Sequence, residues 1–206
     1  MAEEDQIVRF LLLKITVFKQ TKTLYIAYRN MKYMQQSKRN LKPQDILILL
    51  KIITLGTQTW YHHTIAQELG LSQSEVSQSL NRSKYAGLID QARKKVNKIA
   101  FTAFLLHGVA YAFPQQPGAI VRGVLTAHAA EPLNKIISST EKYVWPYAKG
   151  LERGQAIEPL YPTVVEATLS DKKLYELLTL VDAIRVGRIR EKEIAKKELE
   201  KRILNA

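Results

Sequence analysis

Residues 62–89, HHTIAQELGLSQSEVSQSLNRSKYAGLI, constrain the fold more than any other part of the chain. Ile65, Ala66 and Leu69 recur at helical spacing and define one apolar face. Gly70 follows where a helix favours a left-handed cap. Leu71 then plugs a short turn. Ser72 or Ser74 opens the next helix, and Glu75 stands three residues after Ser72, the spacing of a capping box. Val76 and Leu80 give the second helix its apolar face. The pattern predicts two helices joined by a tight turn.

The polar face of the second helix is informative in composition. It shows Gln73, Ser74, Ser77, Gln78, Asn81, Arg82 and Lys84, with one acid, Glu75. Surface helices commonly spend this face on Glu and Lys. Gln, Ser and Asn carry both donors and acceptors, and such groups can meet base edges in the major groove. The expected base-edge set is Gln73, Ser74, Ser77, Gln78 and Asn81. Arg82 and Lys84, with Arg93, Lys94, Lys95 and Lys98 beyond the helix, form the expected phosphate set.

Residues 43–90 resemble the winged helix-turn-helix of bacterial transcription regulators of the MarR-like kind. The residues that carry the resemblance are Ile65, Ala66, Leu69, Gly70, Leu71, Val76, Leu80 and the closing Ala86-Gly87-Leu88-Ile89. The resemblance implies a recognition helix at about residues 74–87 in the major groove of double-stranded DNA. It also implies a homodimer on paired half-sites. Pro43 suits a first helical position, and Asp45 suits the positive end of that helix. Ile46, Leu47, Leu49, Leu50 and Ile53 make it a mostly buried helix, closed by Gly56. Residues 57–61 are β-prone and fit a short bridging strand. Leu88, Ile89 and Asp90 begin the wing. The family pattern then weakens, because no second strand with alternating residues follows. The wing is therefore very short, or its hairpin is missing. Asn97 instead looks like the N-cap of a helix over residues 99–111.

The rest of the chain divides by composition. Net charge is +12, split as +6 over residues 1–57, +3 over 58–100, +1 over 101–160 and +2 over 161–206. A cationic front half favours a polyanion there and another task behind. Residues 1–40 read as a poorly specified basic extension. A DNA-contacting arm, an element packed on a partner subunit, and an upstream start ahead of Met31 and Met34 all fit it. Glu3, Glu4 and Asp5 argue against a secretory leader. Residues 112–160 carry repeated Pro and Gly and read as loops with short strands. Tyr143, Trp145 and Tyr147 read there as a core or interface cluster. Residues 161–206 return to helix, with Asp171 as a cap and a thin apolar stripe (Ile189, Ile194, Leu199, Ile203) suited to dimer pairing or to packing back on the domain.

The expected organisation is mainly α. A basic extension covers 1–40, a winged helix-turn-helix domain 41–98, and a loop-rich, mostly helical region 99–206 serves dimerisation, effector or partner binding. No apolar run approaches the roughly 18 residues of a membrane span, so a cytoplasmic protein is expected. There is no cysteine. His62, His63, His107 and His128 show no metal-ligand spacing, and no phosphate-cradling glycine motif or nucleophile elbow occurs. Neither an enzyme nor a cofactor is expected. The alternative to a DNA reader is an antitoxin-like or other module that uses the winged helix and the C-terminal half to bind a partner protein.

Overall fold

The structure, a computed structural model, describes residues 39–206. The expected extension therefore lies almost wholly outside the described residues. Residues 41–206 form one compact unit.

Helix α1 (Pro43–Leu55) runs through its centre. A helix that is apolar on every side must be buried on every side, and residues 46–50 are all fully inaccessible. The Asp45 carboxylate accepts from the Lys42 amide at 2.8 Å and so caps the first turn. Residues 57–61 form a loop rather than the expected strand. Helix α2 (His62–Leu69) ends at Gly70, whose φ of 63° and ψ of 37° are left-handed. There the Gly70 amide donates to Gln67 O and the Leu71 amide to Ala66 O at 2.8 Å. These two bonds satisfy carbonyls that the helix end would otherwise strand. Helix α3 (Gln73–Tyr85) starts at Ser72, whose hydroxyl accepts from the Glu75 amide while the Glu75 carboxylate accepts from the Ser72 amide. The same glycine device closes α3 at Gly87, and the Leu88 amide donates to Ser83 O at 2.9 Å.

A minimal hairpin follows. Ile89 and Val96 form a single antiparallel bridge. It is flanked by Asp90 N to Lys95 O and Asn97 N to Leu88 O, both 2.9 Å. Helix α4 (Lys98–His107) is capped by the Asn97 side chain on the Ala100 amide. The expected helix over 99–111 breaks at Gly108, and α5 (Val109–Ala112) follows.

The loop-rich stretch folds into a small closed sheet. Strand β1 (Ile120–Thr126) pairs antiparallel with β2 (Tyr143–Pro146) through its second half and with β3 (Glu152–Ala156) through its first. Strands β2 and β3 run parallel and close the ring. Gly123 sits at the crossing, where a Cβ would come within 2.0 Å of Trp145 O. Helices α6 (Val164–Thr168), α7 (Lys172–Val186) and α8 (Ile189–Leu204) complete the chain. Asp171 caps α7 on the Leu174 amide as expected. Ala195, Leu199 and Ile203 on α8 are fully buried, and α8 packs on α7 and α4. The later part of the stripe, Leu199 and Ile203, thus packs back on the unit, whereas Ile194 is half-buried and Ile189 at its start is 85% exposed.

A single apolar cluster extends from Ile46 to Ile203. Composition changes near residue 98, but the core does not stop there. Helix α7 joins the halves, packing on α1, α8, β1 and α5. Its Asp182 carboxylate, wholly buried, accepts from Trp145 Nε1 at 2.5 Å, Thr126 Oγ1 at 2.9 Å and Arg185 at 2.6 Å. Burial pushes this carboxyl up, and Arg185, Trp145 and Thr126 pull it down. Lys51 on α1 bridges Glu68 on α2 and Asp171 ahead of α7 at 2.6 and 2.7 Å. Burial lowers its ammonium, but the two carboxylates outweigh that and hold it above its ordinary value. No helix among the described residues is long and apolar enough to cross a membrane.

Candidate nucleic-acid interface

Helix α3 turns two unlike faces outward and inward. Val76, Ser79, Leu80 and Ser83 are buried. Ser74, Gln78 and Asn81 are exposed, and Ser77 between them is half-buried. The spacing 74, 77, 78, 81 aligns these four along one ridge. Gln73, also exposed, stands at the first turn. The Gln78 amide donates to Ser74 Oγ at 3.1 Å, one helical turn back. This bond orders the ridge and does not use the Gln78 side-chain oxygen. All five expected base-edge residues therefore lie at or beside one accessible surface.

The hairpin flanks that ridge and is tied to it. Arg93 Nη1 donates to Asn81 Oδ1 at 3.0 Å. Asn81 keeps its amide NH2 as a donor. Asp90 organises the tip, its Oδ1 accepting from the amides of Lys94 at 2.6 Å and Lys95 at 3.0 Å. Those amides, chiefly that of Lys95, hold the Asp90 carboxyl below its ordinary value. Lys94 and Lys95 are exposed. The Lys94 ammonium lies 5.0 Å from the centre of the Trp60 ring, within cation–π range. His62, at the first turn of α2, stacks near Trp60. Burial, then the charges of Arg93 and Lys94, hold its imidazole below the ordinary value. The start of α2, the ridge of α3 and the hairpin tip thus form one cationic neighbourhood.

The expected phosphate set divides. Arg93, Lys94 and Lys95 belong to the hairpin, and half-buried Lys84 lies near the end of α3. Lys98 is half-buried and donates to the carbonyl of Ala206 at 2.5 Å. Arg82 does not belong to the surface at all. It is 4% exposed and grips Asp45, itself 0% exposed. Its Nε and Nη2 donate to the two carboxylate oxygens at 2.9 and 2.6 Å. The guanidinium that sequence assigned to phosphate instead fastens α3 to the first turn of α1. A buried pair of this kind holds two elements in register, and losing either member strands the other charge.

Three contributors escaped the sequence reading. Trp60, expected in a strand, is the platform under Lys94. Asp45, expected only to favour a helix end, is the counter-charge of Arg82. Tyr161 donates to the Glu75 carboxylate at 3.1 Å and so ties the α3 cap to the chain before α6. An acid inside the first turn of an otherwise apolar helix was the one available signal, and it pointed to Asp45. Among the described residues, no three of His, Cys, Asp and Glu gather as a metal site. No protein-family model matches the chain, and neither a curated protein nor a solved structure matches it.

Proposed function

We propose that the chain is a sequence-specific reader of duplex DNA that regulates transcription in the cytoplasm. In this reading α1, α2, α3 and the hairpin are a winged helix-turn-helix with a very short wing. Helix α3 enters the major groove, and Gln73, Ser74, Ser77, Gln78 and Asn81 face base edges. Lys84, Arg93, Lys94 and Lys95 face phosphates, and Lys98 joins them by releasing Ala206. Arg82 is withdrawn from the contact set and orients α3 from behind. The protein acts as a homodimer on paired half-sites, as readers of this architecture commonly do.

The observation that carries the reading is the hydrogen bond from Arg93 to Asn81. It joins a cationic loop, suited to a sugar-phosphate backbone, to a ridge of amide and hydroxyl groups suited to bases. Backbone contacts position and base contacts specify, and here the two kinds of group are held side by side. The test substitutes each kind separately. Gln78→Ala with Asn81→Ala should flatten sequence preference, with each lost base contact worth about 1–3 kcal/mol. Lys95→Ala should weaken all sequences alike and lower the salt slope by about one. Unchanged preference in the first variant would remove α3 from the groove.

A further inference from the structure

The sheet carries a charge arrangement that its own fold does not explain. Arg122 on β1 and Arg153 on β3 stand directly opposite in the antiparallel register. Residues directly opposite point to the same face, and both side chains are exposed. Like charges so placed destabilise a strand pair. Several other cations are paired: Lys142 takes Glu152 at 2.7 Å, Arg188 takes Glu141, and Arg202 takes Glu176. Among the described residues neither Arg122 nor Arg153 has an ion-pair partner. Glu152, next to Arg153 in sequence, is already engaged by Lys142.

One apolar side chain shares the face of the pair, and a second stands exposed in the turn that leads into β3. Ile120, two residues before Arg122 and therefore on the same strand face, is 65% exposed. Leu151, two residues before Arg153, is 96% exposed. The turn between β2 and β3 adds Lys149, also exposed and without an ion-pair partner among the described residues. Planar guanidinia with several fixed donors match carboxylates bidentately. Exposed Leu and Ile beside them have no match on a sugar-phosphate backbone. A second copy of the same patch is a poor occupant, because a two-fold axis through the pair would bring four guanidinia together.

We propose that the face of β1 and β3 around Arg122 and Arg153 is a docking surface for an acidic segment of a partner protein that also carries apolar side chains. The carboxylates neutralise the arginine pair, and the apolar groups cover Ile120 and Leu151. Binding there relieves a repulsion that the free protein bears. This surface is built from residues outside the proposed DNA interface and makes no use of α3 or the hairpin.

The test uses the full chain and two acidic probes, a random copolymer of Glu and Tyr, and polyglutamate as the charge-only probe. Arg122→Glu is compared with Lys201→Glu, which makes the same change in net charge at an exposed position of α8. The copolymer should bind the parent protein more tightly than polyglutamate does. Arg122→Glu should weaken copolymer binding about tenfold, the loss typical of an arginine anchor, while Lys201→Glu should have little effect. Arg122→Glu should leave Tm unchanged or raise it, because it sets opposite charges across the strands. Equal losses in the two variants would reduce the effect to net charge and overturn the proposal. Equal binding of copolymer and polyglutamate would overturn it too. A fall in duplex DNA affinity for Arg122→Glu as large as the fall in copolymer binding would assign the surface to phosphate instead.

Discussion

Replacing Arg82 by Ala separates the structural from the sequence-level role of this residue. In the fold, Arg82 makes three hydrogen bonds to Asp45, by Nε at 3.2 and 2.9 Å and by Nη2 at 2.6 Å. Asp45 is 0% exposed, and its other contact is the Lys42 amide at 2.8 Å. The substitution therefore leaves a carboxylate buried with a single neutral donor. Breaking a buried pair from one side costs about 3–5 kcal/mol. For a chain of this size each kcal/mol moves Tm by about 2–4 °C, so a fall of about 10 °C is expected. The assay is denaturant and thermal unfolding beside DNA binding measured well below the new Tm. A double variant, Asp45→Leu with Arg82→Met, removes both charges. It should recover to within about 1 kcal/mol of the parent, the remainder being the lost cap on the Lys42 amide. Arg82→Ala should also keep the parent's salt slope, because no phosphate contact is lost. A Tm change below about 2 °C, together with a salt slope lowered by one, would refute the buried-pair account. It would return Arg82 to the surface.

Three further outcomes are expected. Ser72→Ala removes the α3 cap and should cost about 1 kcal/mol in denaturant unfolding. His62 is held below its ordinary value of 6.5 by burial and by Arg93 and Lys94; phosphates that neutralise those cations should raise it, so DNA binding takes up a proton and tightens as pH falls below that ordinary value. His62→Gln should shrink that dependence in titrations at fixed salt. The Asp90 carboxyl is held low in the folded hairpin, so its stabilisation is present above its ordinary value of 3.8 and lost as pH falls through the depressed one; the protection factors of the Lys94 and Lys95 amides, taken against the intrinsic exchange rate at each pH, should drop there, and Asp90→Asn should abolish that drop.

Local signals in the chain were readable because their causes are local. Gly70, Ser72 and Glu75 act within a few residues of one another, and the turn between α2 and α3 forms as their spacing predicts. Asn97 and Asp171 cap their helices for the same reason. The polar ridge of α3 was legible because helical periodicity alone aligns residues 74, 77, 78 and 81. Arg82 defeated the reading because its partner lies 37 residues earlier. Nothing in the α3 sequence separates a guanidinium turned toward α1 from one turned toward solvent. The hairpin was hard to see because a single bridge supports it, too short for alternation to show. Its order comes from the Asp90 side chain rather than from strand pairing. The closed sheet was hidden for a further reason. Its strands are short, and Gly123 makes its close crossing possible only where Trp145, 22 positions later in sequence, comes to lie against it. The change of composition near residue 98 suggested a domain boundary. Helix α7, far down the chain, packs on both sides of that boundary and erases it.

The most direct test of the central claim is selection of random duplex DNA by the full-length protein at two salt concentrations, with sequencing of what is retained. The account predicts an enriched motif with two-fold symmetry, half-sites about 10 base pairs apart or a multiple of that, persisting at the higher salt. It also predicts that Gln78→Ala with Asn81→Ala erases the motif but not the retention. Retention without any motif, lost at the higher salt, would mean that charge alone binds and that the α3 ridge reads no sequence. That result would contradict the account.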